Sequence, residues 1–221
     1  MKRIKQFLVV ALMTVIVAVA PMSAFAQTEA GQGISDLSQE KIDMRMKAVF
    51  EYLDENAYLM EEDSQEPWSF SIPVDEGVIV DVKITNQEDL KARGDAVGRN
   101  TYNVTSYSNY NYTLTVSNVL GYGDTTLYKV NYTVGGYVGS TTYHYITVNQ
   151  VTISGTPPTG YNGYTTSTYI DQSLNGGIIV PTSGSITYTS PILANKKITF
   201  REVSINSIPN DKVDIDYWYE Y

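Results

Sequence analysis

From Pro67 to the C-terminus the chain is dominated by a period of two, and that period decides what it can build. In residues 110–117, YNYTLTVS, the even positions are Tyr110, Tyr112, Leu114 and Val116, and the odd ones are Asn111, Thr113, Thr115 and Ser117. Alternation of this kind puts one side of a strand against a core and leaves the other in water. Residues 128–134, YKVNYTV, repeat it, with Tyr128, Val130, Tyr132 and Val134 on the apolar side. Gly, Asn, Pro and Ser punctuate such runs, so strands are expected near 67–74, 77–85, 101–119, 125–134, 141–153, 164–170, 176–180, 185–190, 196–206 and 212–220. Short strands joined by turn residues point to a mainly β fold, an antiparallel β-sandwich in preference to a barrel. Pro73, Pro157, Pro158, Pro181, Pro191 and Pro209 fall at the expected strand ends or in loops, where a missing backbone donor is tolerated.

The densest stretch of the pattern, residues 107–146, holds nine of the 19 tyrosines and the single histidine, His144. It reads as a three-strand meander. A turn centred near Tyr122 in LGYGD pairs Val116 with Tyr128, Leu114 with Val130 and Tyr112 with Tyr132. In the third strand, Tyr143 and Tyr145 compete with His144, Ile146 and Val148 for the buried side.

Residues 67–221 hold 17 Tyr and two Phe. A buried tyrosine hydroxyl needs a partner, so rings half sunk at the sheet margin with wet hydroxyls are the economical expectation. Tyrosine serves as an ordinary strand residue on that account. Rings so placed also suit a stacking platform for sugar or peptide, and Tyr112, Tyr132, Tyr143, Tyr145 and Trp218 are its candidate members.

The N-terminus carries a different signal. Lys2, Arg3 and Lys5 precede an apolar run from Phe7 to Ala20, Pro21 ends it, and Ala24-Phe25-Ala26 fits a signal-peptidase site with cleavage after Ala26. The run is short of the roughly 20 residues a spanning helix needs, and no later stretch is long enough, so no transmembrane segment is expected in the mature chain. Residues 1–26 therefore read as a signal peptide, 27–34 as a flexible lead-in, 35–63 as an acidic amphipathic helix, and 64–221 as the tyrosine-rich β domain. Ile42, Met46, Val49, Leu53 and Met60 share one face of a helix expected over about 36–62, with Asp36 and Gln39 as its capping box. That face packs on the β domain or, alternatively, marks a detachable partner-binding segment.

Charge and cysteine content narrow the function. The net charge is −9, and loss of the leader's three basic residues takes it to −12. Nucleic acid, anionic lipid and polyanionic wall polymers are discounted as partners, since each demands Lys or Arg. The chain has no cysteine. A secreted or envelope-associated chain without disulfides must be held by its core, by a metal or by assembly. One histidine and no cysteine remove most parts of thiol, multi-histidine and triad chemistry, and no G-x-S-x-G elbow is present. His144 reads as a sheet residue, and no catalytic residue is assigned. In NDKVDIDYWYEY, alternation sets Asp214, Asp216, Trp218 and Glu220 on one face. Paired acids beside a ring are the parts of a glycoside hydrolase, but three like charges on a terminal strand also make a solvated, aggregation-resistant edge. The same acids offer calcium only a weak site, without the glycine and ligand spacing of a calcium loop, so no metal or cofactor is assigned. The long Ser/Thr/Tyr strands of 163–190 admit a β-pore hairpin as another alternative. The preferred expectation is a secreted, non-catalytic interaction protein of the extracellular space or envelope, binding a glycan or a surface protein.

Overall fold

The computed structural model of the protein describes residues 37–56, 67–88, 102–103, 108–136, 144–208 and 212–219. Among these residues one helix, α1 (Gln39–Glu55), precedes ten strands: β1 (Trp68–Asp75), β2 (Val78–Glu88), β3 (Tyr102–Asn103), β4 (Ser108–Ser117), β5 (Thr125–Gly136), β6 (His144–Thr156), β7 (Gly163–Ile170), β8 (Ile179–Thr189), β9 (Lys196–Ile208) and β10 (Lys212–Trp218). They make two antiparallel five-stranded sheets, ordered β1-β2-β4-β5-β6 and β3-β10-β9-β8-β7, and neither closes into a barrel. The mainly β sandwich preceded by one helix is thus the observed architecture. The expected signal peptide with its cleavage after Ala26, the lead-in, Asp36 and the segment 57–63 with Met60 lie outside the described residues.

Alternation selects the faces as expected. Tyr110, Tyr112, Leu114 and Val116 on β4 and Tyr128, Val130, Tyr132 and Val134 on β5 are all buried. The register differs, however. Leu114 pairs with Tyr128, Tyr112 with Val130, and Tyr110 with Tyr132, two residues away from the expected pairing. The loop is the cause: Asn118 adopts φ 68°, and Gly121 and Gly123 also have positive φ, so β4 ends at Ser117 and faces Thr125. The loop closes on Asp124, whose carbonyl accepts Asn118 N–H at 2.7 Å and whose carboxylate accepts Leu120 N–H at 2.9 Å. A slip of two keeps every side chain on its own face, which is why the core survives the error.

The hydroxyls of the central tyrosines are dry, where wet hydroxyls at the sheet margin are expected from the sequence. Tyr110, Tyr112, Tyr128, Tyr132 and Tyr188 are fully buried. Tyr112 Oη meets Tyr217 Oη at 2.6 Å, and Tyr128 Oη donates to Thr182 Oγ1 at 2.8 Å. Tyr188 Oη bonds Thr126 Oγ1 and donates to Thr125 O, both at 2.9 Å, while Asn86 Nδ2 donates to Tyr132 Oη at 3.0 Å. Four of these five hydrogen bonds cross between the sheets, so the opposite sheet supplies most of the partners a half-sunk ring would have sought in water. The rings pack as well: Tyr110 stacks on Tyr132 at 5.3 Å and Tyr128 on Phe200 at 4.8 Å.

The two short strands expected at 176–180 and 185–190 are one strand, β8, running through Pro181. Pro181 O accepts Asp171 N–H at 3.0 Å, so this residue's main chain faces the β7 flank just where β7 ends. Its missing donor leaves the ladder to β9 untouched.

Helix α1 starts at Ser38, in extended conformation, whose side chain accepts Lys41 N–H at 3.2 Å; the cap therefore lies two residues beyond the expected Asp36. Ile42, Met46, Val49, Phe50 and Leu53 are buried against β1, β9 and β10. Phe50 meets Phe200 and Tyr217 at ring distances of 6.3 and 5.8 Å. Polar contacts fix the seat: Arg45 donates to Val119 O at 2.7 Å and to Asp75 at 3.1 Å, and the Gln39 side-chain amide bonds both backbone groups of Lys197. The helix is part of the core, which answers the choice between packed helix and detachable segment.

Candidate functional site

The outer faces of the two sheets are unlike. On the first, Asn131 Nδ2 donates to Asn111, Thr133 Oγ1 to Asn109, and Asn149 Nδ2 to both Asn131 and Thr133, so the polar groups are tied to one another across the strands. The second sheet instead carries a recess of about 230 Å³ over β7, β8 and β9. Its walls are Ser167 and Tyr169 from β7, Ser183 and Ser185 from β8, and Thr199 and Arg201 from β9.

A bulge shapes it. Thr182 pairs with Val203 and Gly184 with Phe200, so Arg201 and Glu202 together stand opposite Ser183. The extra residue lets Phe200 and Val203 both point into the core while Arg201 is turned outward. Gly184 is part of the lining, and a Cβ there would point inward, 2.6 Å from Ile153 Cδ1 and 2.7 Å from Ser167 O. Its absence lets β7 lie close to β8 at this point.

The recess combines neutral hydroxyls, a ring and a cation. Tyr169 is 59% exposed, among the most exposed of the large side chains. The Arg201 guanidinium lies 5.3 Å from the centre of the Tyr219 ring, which holds it at the rim. Burial, with Asp43 nearby, pushes the Tyr219 hydroxyl up to about 12, so it stays protonated beneath the arginine. Among the described residues no Asp, Glu or His lines the recess. Such a surface can hold a polyhydroxylated ligand by hydrogen bonds and ring contact.

The sequence-derived candidates scatter. Tyr112 and Tyr132 are fully buried and so present no ring face to solvent, and their hydroxyls are satisfied internally. The open platform built on that pair is therefore corrected. Tyr145 is half-buried and lies over Gly135, and Tyr143 lies outside the described residues. His144 is buried with Ile146 and Val148, which leaves Tyr145 on the opposite face, and its N–H donates to Ser207 Oγ at 2.7 Å. Trp218 is 55% exposed, on β10 opposite Glu202.

Asp214 and Asp216 do share the outer side of β10 with Trp218, while Glu220 lies outside the described residues. Asp214 is buried and accepts Ile215 N–H at 2.9 Å; Asp216 accepts the Asn206 side-chain amide; Glu202 accepts Ser204 Oγ at 2.7 Å. These carboxylates are engaged in sheet contacts. Among the described residues no group of three or more His, Cys, Asp or Glu is arranged to hold a metal ion.

Tyr169, Arg201 and the hydroxyls between them escape a strand-by-strand reading, because three strands and a bulge bring them together. One signal was present: GYTTSTYI is polar on both parities, the mark of a strand with neither face in a core. Comparisons with protein-family models, with curated proteins and with solved structures find no match for this chain.

Proposed function

We propose that the chain is exported, with cleavage after Ala26, and acts without catalysis as an interaction protein of the extracellular space or cell envelope whose ligand is a glycan. The observation that carries the ligand class is the recess over β7–β9, lined by Ser167, Ser183, Ser185 and Thr199 together with the exposed Tyr169 and Arg201. Sugars present a ring-stacking apolar face edged by hydroxyls, and this combination matches both. The acidity of the chain turns the choice away from polyanionic glycans and toward neutral ones.

A neutral-glycan panel with the chain from Gln27 onward tests this. Tyr169→Ala and Arg201→Gln are expected to weaken binding about tenfold each, since a lost contact of roughly 1.4 kcal/mol is one decade of affinity. Trp218→Ala, on β10 and outside the lining of the recess, is expected to leave it unchanged. Absence of binding to every neutral glycan, or binding indifferent to Tyr169 and Arg201, would overturn the assignment. Retention of the full chain inside the expressing cells would overturn the export reading independently, and an uncleaved leader on secreted chain would overturn cleavage after Ala26.

A further inference from the structure

The sheets end differently at their edges. On β6 the outward main chain is covered: Ile146 N–H donates to Gly177 O at 2.7 Å, Gly176 N–H to Ile146 O at 2.8 Å, and Val148 N–H to Asn175 Oδ1 at 2.8 Å, with Asn175 Nδ2 returning to Val148 O. The 175–177 segment thus stands in for a neighbouring strand. No such cover lies on β7 among the described residues. This strand pairs with β8 alone, and its side chains from Tyr164 to Tyr169 are exposed on both faces.

The ladder tells which groups face outward. Asp171 N–H bonds Pro181 O in the same register that pairs Ile170 with Thr182. Hydrogen-bonded pairs alternate along an antiparallel ladder, so Thr165, Ser167 and Tyr169 turn their main chain toward β8. Tyr164, Thr166, Thr168 and Ile170 therefore present N–H and C=O groups to solvent. Edge strands are ordinarily blunted by lysine, proline or an inward charge. Residues 163–170 contain none of these, in a chain with 24 acidic and 15 basic residues.

We propose that this edge pairs with the β7 edge of a second copy, antiparallel about a two-fold axis through Ser167. Matching outward groups to outward groups requires an even register, and the axis at Ser167 engages Tyr164 through Ile170 completely. Tyr164 then lies opposite Ile170 of the second copy, Thr165 opposite Tyr169, Thr166 opposite Thr168, and Ser167 opposite its own equivalent. Aromatic–β-branched and Thr–Thr pairs are favourable cross-strand neighbours. The segment brings no charge to the contact, so two acidic chains meet there without direct repulsion. The fit to its own sequence is what selects a second copy over a foreign strand. This inference stands apart from the glycan reading, which uses the face of the sheet rather than its edge.

The absence of cysteine makes the test specific. In the proposed register the two Ser167 residues form a non-hydrogen-bonded pair with Cα atoms about 4.5 Å apart, within disulfide reach. Ser167→Cys is expected to give a covalent dimer on mild oxidation, whereas Thr165→Cys, which faces Tyr169 of the second copy, is expected to stay single. Light scattering on the chain from Gln27 onward is expected to show twice the monomer mass at high micromolar concentration. Thr166→Pro, which deletes only an outward N–H, should return it to one copy with the β circular dichroism unchanged. A monomer at every concentration with no Ser167→Cys cross-link would overturn the proposal. A dimer indifferent to Thr166→Pro, or cross-linked better through position 165, would do the same. A chain that stays monomeric yet takes up a synthetic GYTTSTYI peptide would assign the edge to a foreign strand instead.

Discussion

Asp124 is the residue where local and tertiary demands conflict. Its carboxylate closes the β4–β5 loop, yet it is fully buried, and Oδ2 finds no partner among the described residues. Burial pushes its pKa up from 3.8 to about 6, against the lowering effect of backbone donors led by Leu120. The folded state therefore holds this proton more tightly than the unfolded chain. Stability from this group is full below about pH 4 and falls as pH rises toward 6, by on the order of 3 kcal/mol. Asp124→Asn keeps an oxygen for Leu120 N–H and removes the charge, so denaturant unfolding should find it more stable than the parent at pH 7.5 and nearly equal at pH 4. The buried hydroxyls behave oppositely, as groups the fold needs. Tyr188→Phe strips partners from Thr126 Oγ1 and Thr125 O and is expected to cost about 1–3 kcal/mol. Tyr164→Phe, on an exposed ring, should change the same unfolding midpoint little. Alternation showed which tyrosines point inward, but a hydroxyl's partner lies on another sheet and leaves no trace in local sequence.

Among the elements, α1 shows most plainly what periodicity can reveal. Ile42, Met46, Val49 and Leu53 were legible as one apolar face, and all four are buried. Phe50 and Arg45, buried beside them, were not legible, because the packed face is wider than a strict stripe. Phe50→Ala is expected to cost about 3–5 kcal/mol, and Glu51→Ala, on the exposed side, only a few tenths; equilibrium unfolding measures both. The helix is also tied by Asp75 in the β1–β2 turn, 3.0 Å from Lys41 Nζ and 3.1 Å from Arg45 Nη2. Hydrogen bonds from Lys41, then from Glu76 N–H and Arg45, hold the Asp75 carboxyl down at about 2. The stability it adds is present above pH 4 and is lost as pH falls through 2. Amide exchange over residues 39–55 should accelerate in Asp75→Asn at neutral pH, and that difference from the parent should vanish in strong acid. The β4–β5 register was missed for a related reason: a seven-residue loop with Asn118 at positive φ carries no period to count.

At the scale of the whole molecule, a cysteine-free chain is closed by two sheets and a helix sharing one interior. A chain beginning after Asn56 should then fail to fold as a unit, losing near-ultraviolet circular dichroism and binding a hydrophobic dye. If it instead unfolds cooperatively at the parent's midpoint, the helix is not part of the common core. The sequence by itself determined the fold class, the strand faces and the apolar stripe of α1, because each is written in a repeat of two or of three to four residues that neighbours along the chain must share. Only the tertiary structure decided that tyrosine hydroxyls are paired across the sandwich, that a bulge at Arg201 and Glu202 opens a recess, and that β6 has a covered edge while β7 lacks one among the described residues. Those features depend on residues brought together from separate strands, and the loops and bulges that set their meeting leave no periodic signal.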